Sequence, residues 1–452
     1  MTETRQSIHG QWSSRWAFIL AATGSAVGLG NIWKFPYITG ENGGGAFVLV
    51  YLLCIAVIGI PVMMSEIMLG RRGKQSPIHT MRTLSQEERA GSYWSVVGWS
   101  GVLAGFLILS FYSVIAGWAL SYVASAASGS FSGISGDQSG ELFGGLVSNP
   151  GTQLFWHTLF MGMTMFVVAR GVREGLERAI RLLMPTLFVL LLILVGYAMN
   201  SGGFMQGFHF LFDADFSKLT TEGVLSALGH AFFTLSLGMG AIMIYGAYLP
   251  DDISIGKVTL TVALADTVVA LLAGLAIFPI VFANGLEPGA GPGLIFQTLP
   301  VAFGAMPGGI IFATLFFVLL VFAAWSSAIS IIEPVVAWLV EDRGWSRYRA
   351  AIGAGVVTWV LGIATILSFN VWADVKWFDK TIFDLLDYLT SNIMLPLGGL
   401  LIAIFAGWVM NENHSRGELH LEEGLYQRWR LVVRYVTPVA ILLVFFNSIG
   451  LI

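Results

Sequence analysis

Two short stretches carry residues that a membrane-buried helix would not normally choose. The first, GSAVGLGNIWKFPY from Gly24 to Tyr37, puts three glycines, Asn31, Lys34 and Pro36 into an otherwise apolar run. The second, TLSLGMG from Thr234 to Gly240, puts Ser236 and two glycines in the middle of another. Each glycine costs about 1 kcal/mol relative to alanine in a helix interior. Irregular backbone at membrane depth survives only where protein or a water-filled cavity satisfies it. Such a break frees backbone groups: N–H groups at a half-helix start attract anions, and unwound carbonyls attract cations. Small residues also serve close helix packing, but two such breaks in corresponding places point to a binding site. Two acids, Glu66 and Asp266, stand in runs of similar apolarity, where a carboxylate is costly unless paired.

The elements that must position these residues are membrane helices. The 452-residue chain is 56% hydrophobic and only 11% charged, with a mean hydropathy of +0.77. A soluble domain needs roughly a quarter charged residues. Apolar windows of membrane-spanning length predict eleven spans, near 13–38, 42–70, 92–125, 154–171, 175–198, 222–248, 257–285, 308–341, 349–370, 381–411 and 427–450. No alternating segments of the barrel type occur, so the expectation is an all-α polytopic membrane protein embedded in lipid.

Of the 23 Lys and Arg residues, all but Lys34, Lys218, Lys376 and Lys380 fall at the N-terminus or in the connections after even-numbered spans. The positive-inside rule then puts the N-terminus in the cytoplasm and the C-terminus outside. No cleaved leader is expected before the first span. The single cysteine, Cys54, excludes an internal disulfide and a cysteine-rich metal site. Nothing suggests nucleic acid as a partner. No HExxH, GxSxG or phosphate-cradling loop argues for an enzyme.

The two broken spans are the first and the sixth. They occupy the same place in two five-span halves, and an odd number of spans per half gives inverted topology. The expected layout is a cytoplasmic segment 1–12, a first repeat 13–198 and an extracellular linker 199–221. A second repeat 222–411, a cytoplasmic loop 412–426 and a last span 427–452 follow. The stretch 126–153 reads as a flexible outer loop.

At this point the residues resemble a known family. RWAFILAATGSAVGLGNIWKFPY, ENGGGAFVLVYLL and GIPVMMSEIMLGR are similar to the signature of the neurotransmitter:sodium symporters. FFTLSLGMGAIMIYGAYL resembles their sixth helix and FAAWSSAISIIEP their eighth. The resemblance covers most of the chain from about Gln11 and implies the LeuT-type fold, a 5+5 inverted repeat with spans one and six unwound at the midplane. It implies a bacterial cell membrane location, and a Na⁺-coupled carrier of hydrophobic and aromatic amino acids working by alternating access. A sensor without transport and a proton-coupled carrier are the alternatives.

Two Na⁺ sites follow from the resemblance, both made of the oxygen donors a hard cation prefers. The first would use Ala26, Asn31, Thr234 and Asp266, with a substrate carboxylate completing the shell. The second would use Gly24, Val27, Ala323, Ser326 and Ser327, although serines in membrane helices commonly bond back to their own turn. Many members have Asn where this chain has Asp266, and rely on chloride or on an acid one turn later. Here that later position is Ala270, so Asp266 itself can supply the balancing charge and chloride becomes unnecessary. Otherwise Asp266 would titrate as a proton carrier.

The same alignment implies a substrate pocket. Tyr112 and backbone groups at Ala26, Gly28 and Gly30 would take the carboxylate, while Ser236 would meet the ammonium. Ile108, Ile115, Phe233, Met239, Ser327 and Ile331 would enclose the side chain. Monoamine carriers have an aspartate at the Gly28 position, so glycine there favours an α-amino acid. The adaptable Met239 suits bulky side chains: Trp, Phe and Tyr as well as Leu, Ile and Val.

The resemblance also pairs Lys34 with Asp387 as an outer gate over a Tyr112–Phe233 lid. Arg5, Trp12, Tyr248 and Glu341 or Asp342 would form the inner gate, with His9 standing where the usual arginine does. Glu66 would accept N–H groups freed by the sixth span. Gly175 and Pro185 would let the fifth span unwind to release the second sodium inward, unless Pro185 makes only a static kink.

Overall fold

The computed structural model describes residues 5, 7–288 and 293–448. The first span is two pieces, α1 (Arg15–Ala26) and α2 (Gly30–Glu41), bent by 49° across the break. Ser14 starts α1 by accepting the Ala17 N–H, a usual N-cap arrangement. Val27 ends it by turning to φ −71°, ψ 101°. There follow α3 (Gly45–Gly73), the short α4 (Pro77–Glu87) and α5 (Ser92–Ala127). Next come α6 (Gly136–Val147), α7 (Pro150–Val168), α8 (Val172–Met199) and α9 (Phe204–Phe212).

The sixth span is again two pieces, α10 (Thr221–Thr234) and α11 (Ala241–Ala247). Between them the backbone is left-handed at Ser236, Gly238 and Gly240, with φ of 54°, 80° and 77°. The chain continues through α12 (Ile255–Ala283), α13 (Leu294–Ala305), α14 (Gly309–Arg343) and α15 (Arg347–Ser368). It ends with α16 (Ile382–Val409), α17 (Glu412–Leu419) and α18 (Glu423–Phe446). Among the described residues there is no strand, only the isolated bridge between Trp377 and Lys380.

Eight described helices are long and apolar enough to cross a membrane, nine when α1 and α2 count as one. The other two expected spans differ for physical reasons. α7 carries Gln153 and His157, which lower its hydropathy and turn inward to meet Trp118 at 2.9 Å and the Trp359 carbonyl at 3.2 Å. The sixth is divided by its break. The last expected span is described as far as residue 448.

One expectation is corrected. The glycine-rich stretch 126–153 is not simply a flexible loop, because it contains α6. Ser135 and Gln138 form a reciprocal capping box at its start, Leu146 is buried, and Ser139 donates to the Gln297 carbonyl at 2.7 Å. The S-x-x-Q spacing was the available signal.

The most buried long helices, α5 and α14, pack against each other at the centre. α1 packs on α14, α12 and α8, and α11 on α3 and α14. The two breaks thus sit in the middle of the bundle, walled by α5, α12 and α14.

Candidate functional site

At each break, buried side chains satisfy the backbone that the helix releases. The Gly28 N–H donates to Asn31 Oδ1 at 3.0 Å, and the Leu29 N–H to the Tyr112 hydroxyl at 3.2 Å. On the carbonyl side, Ser327 Oγ reaches the oxygens of Gly24, Ser25 and Val27 at 3.3, 3.1 and 3.2 Å. Ser236 Oγ donates to the Ser25 carbonyl at 2.8 Å. In the sixth span the Gly238 N–H donates to Glu66 Oε1 at 2.6 Å. Gly238 has to be glycine twice over: its φ is +80°, and a Cβ there would lie 2.5 Å from the Leu395 carbonyl.

Asp266, fully buried on α12, joins the breaks. It accepts from Asn31 Nδ2 at 2.7 Å and from Thr234 Oγ1 at 3.1 and 3.2 Å. The residues expected at the first sodium site that make side-chain contacts here, Asn31, Thr234 and Asp266, are therefore gathered around one carboxylate, and Ala26 lies in the adjoining pocket. Of the second set, Gly24, Val27 and Ser327 cluster through the Ser327 hydroxyl. Ser326 lies against Gly24, where a Cβ on the glycine would be 3.3 Å from its Cβ. Its hydroxyl bonds back to Phe322 and Ala323 of its own helix, at 3.1 and 3.0 Å. Both donor sets consist of oxygen, which fits a hard cation. Among the described residues no His, Cys, Asp and Glu cluster suits a transition metal.

Between the breaks lies a cavity of about 20 Å³, room for roughly one water. Ala26, Gly28, Gly30, Ile108, Tyr112, Phe233, Ser236, Met239, Ser327 and Ile331 line it, together with Ser25 and Leu29, which the sequence did not single out. A Cβ on Gly28 would come within 2.4 Å of Ser327 Oγ and 2.9 Å of the Tyr112 hydroxyl.

Ile115 is not in this cavity. One helical turn above Phe111, it lines a second space of about 40 Å³ with Trp33, Tyr37, Phe111, Phe383, Lys34 and Asp387. Tyr112 and Phe233 line both spaces and so form the partition between them. The Lys34 ammonium lies 4.6 Å from the centre of the Phe233 ring, and Asp387 accepts from Ser391 at 2.9 Å.

Ahead of α1, Trp12 is buried, donating its backbone N–H to the Tyr248 carbonyl and its indole N–H to the Tyr245 carbonyl, both at 3.0 Å. Arg5 is not brought to Glu341; it reaches Glu87 at 3.3 Å. The partners of Glu341 are instead His9 and His79, each at 3.0 Å. The Tyr248 hydroxyl donates to Glu333 at 2.6 Å, and Arg347 closes a bidentate pair with the same fully buried carboxylate. The sequence reading gave Glu333 no role, although it stands in the apolar stretch IIEP. The criterion that singles out Glu66 and Asp266 would have found it.

Gly175 sits in the wide turn Val172–Glu177 that opens α8, and a Cβ there would lie 2.1 Å from the Val167 carbonyl. The helix continues unbroken through Pro185. Glu177, the last residue of that turn, accepts the Ser13 N–H at 3.0 Å and pairs with Arg181 at 2.6 Å.

Residues 9–133 and 145–451 match the sodium:neurotransmitter symporter family. The chain belongs to this family. It is 41% identical over 445 residues to the sodium-dependent transporter YhdH of Bacillus subtilis, covering 98% of each chain. A sodium-dependent transporter of Haemophilus influenzae is 34% identical, covering 97% of this chain and 98% of its own. Among solved structures, that of MhsT in complex with L-phenylalanine superposes with a TM-score of 0.90 at 46% identity, covering 97% of this chain and 99% of that one. The architecture is thus the LeuT-type fold, and the chain is a sodium-dependent membrane symporter of a transporter family rather than a member of an enzyme class.

Proposed function

We propose that this symporter carries hydrophobic and aromatic L-amino acids into the cell, driven by two Na⁺ ions and without chloride. The observation that carries the reading is the Asp266 carboxylate, fully buried and hydrogen-bonded at once to Asn31 at the first break and Thr234 at the second. A cation bound there is balanced by Asp266, so no chloride is needed to offset it. It would be held by Asp266, Asn31, Thr234 and the Ala26 carbonyl. The second cation would take Gly24, Val27, Ala323, Ser326 and Ser327.

A substrate carboxylate would lie against the Tyr112 hydroxyl and accept its proton, while the hydroxyl oxygen accepts from the Leu29 N–H. The same carboxylate would touch the first cation, which makes ion and substrate bind interdependently. Ser236 and carbonyls of the sixth span would meet the ammonium. Ile108, Phe233, Met239 and Ile331 would surround the side chain, and the relative described with L-phenylalanine supports an aromatic occupant. At about 20 Å³ the cavity must widen to admit one, and Met239 is the wall residue with the softest side chain. The distribution of Lys and Arg supports a cytoplasmic N-terminus and an external C-terminus.

The test is uptake of labelled phenylalanine, tryptophan and leucine into proteoliposomes, with and without external Na⁺ and chloride, and with Asp266→Asn. Uptake that requires Na⁺, ignores chloride and collapses in the variant is expected. Binding without accumulation would make the protein a sensor. Accumulation driven by a pH gradient without Na⁺ would make Asp266 a proton carrier and overturn the sodium assignment.

A further inference from the structure

Glu341, near the cytoplasmic end of α14, is where two histidines from distant parts of the chain meet. His9 Nε2 lies 3.0 Å from one carboxylate oxygen, and His79 Nδ1, on α4, lies 3.0 Å from the other. The Ser76 N–H reaches both oxygens, at 2.8 and 3.0 Å. The His9 side chain is 2% exposed and that of Glu341 6%, so the contact is shielded from water and from salt. The far nitrogen of the His79 ring lies 3.5 Å from Asp342 Oδ1. A protonated His79 therefore bridges two carboxylates.

The surrounding charges leave this pairing to the imidazoles. Arg5 is engaged with Glu87, and Arg347 with Glu333. Arg343 lies 3.5 Å from Asp342, not on Glu341. Lys74 pairs with Asp251 at 2.6 Å. The Tyr248 ring is 5.8 Å from that of His9, and its hydroxyl is turned to Glu333. Arg82, on α4, opposes a charge on His79.

His9 belongs to the segment that crosses the cytoplasmic face and closes it. Three residues on, Trp12 seals against Tyr245 and Tyr248, and Ser13 is bonded to Glu177 at the start of α8. An arginine at position 9 would hold Glu341 at every physiological pH. An imidazole holds it as an ion pair only when protonated.

We infer that His79 makes the inner closure of this transporter respond to cytoplasmic pH: protonated, it ties α4 to Glu341 and Asp342 and so fixes the carboxylate on which His9 and the N-terminal segment rest, and neutral, it loosens that tie. The inference rests on the reading that this segment is the inner gate and faces the cytoplasm. The Glu341 hydrogen bond raises the His79 pKa above the ordinary imidazole value, against burial and Arg82. The sign follows: a raised pKa in the closed state favours closure at low pH, and that advantage is lost as pH rises through the raised value. Acid in the cytoplasm then holds the carrier shut on the inside, and alkali frees it to open inward.

Hydrogen–deuterium exchange of the full-length protein in nanodiscs tests this without substrate or an ion gradient. The Trp12 and Ser13 amides, bonded to the Tyr248 carbonyl and to Glu177, report the closed segment. After normalisation to intrinsic exchange, their protection is expected to fall several-fold between about pH 6.5 and about pH 8.5. His9→Arg should be protected at both pH values, and His9→Gln at neither. His79→Gln should flatten the pH dependence while leaving exchange in the centre of α14 unchanged. Wild-type protection that does not vary with pH, or a His79→Gln protein that keeps the wild-type profile, would overturn the inference. Because the readout needs no transport, failed amino acid uptake with pH-dependent exchange would remove the substrate assignment and leave the latch standing.

Discussion

Asp266 is an acid with no described ion-pair partner, fully buried and hydrogen-bonded by the neutral donors Asn31 and Thr234. A bare charge in that position would be costly, which is the physical reason to assign it a cation. Gly28 is the second decisive residue, since a side chain there would run into both Ser327 and Tyr112. Gly28→Ala pushes a methyl group to within 2.4 Å of Ser327 Oγ. Overpacking of that kind costs about 1–3 kcal/mol. Phenylalanine affinity should fall at least about fivefold, in line with that cost, as measured by radioligand binding in saturating Na⁺. Unchanged affinity would mean that the carboxylate does not sit where proposed.

At the scale of the element, the broken helices persist because other helices replace the hydrogen bonds they give up. Glu66 of α3 holds the Gly238 N–H, and Tyr112 of α5 holds that of Leu29. Glu66→Ala leaves the Gly238 donor buried without its partner, at a cost of about 1–3 kcal/mol. The melting temperature should drop measurably in that variant. Glu66→Gln keeps an acceptor and should lose less. Equal losses in the two variants would show that the charge, not the hydrogen bond, matters there. The fifth span is poised differently: helical through Pro185, but opened by the wide turn around Gly175 and clamped by Glu177 on Ser13. On the proposed release route, Glu177→Gln weakens that clamp. Inward sodium release should then be faster in efflux measurements from loaded proteoliposomes, and unaltered efflux would separate the clamp from the route.

Across the whole molecule, two partitions lie on one axis. Tyr112 and Phe233 separate the inner cavity from the space beneath Lys34 and Asp387. Trp12, Tyr248 and Glu341 close the opposite end. Between them, ion and amino acid share a carboxylate in the proposed complex. Linkage then requires that Na⁺ raise phenylalanine affinity by the same factor as phenylalanine raises Na⁺ affinity. Calorimetric titration of each ligand at low and high concentrations of the other measures both factors. Unequal factors, or none, would refute the shared ligand.

Much of this was legible in the chain because lipid leaves backbone few choices. Spans follow from apolar length, and glycine-broken spans in matching positions mark the site, since a break in hydrocarbon has to be satisfied by something. Glu66, Asp266, Asn31 and Thr234 stand out for the same reason: polar groups at that depth need partners. Which partner each one has depends on helices that are remote in sequence, and there the tertiary structure decided. It moved Ile115 into the second space, with Lys34 and Asp387, because that turn of α5 faces it rather than the cavity between the breaks. It tied Arg5 to Glu87 and gave Glu341 to two histidines, because the path of the N-terminal segment across the end of the bundle sets which side chain arrives. It also built Glu333, Arg347 and Tyr248 into one buried network from three separate segments, a proximity that no local pattern encodes.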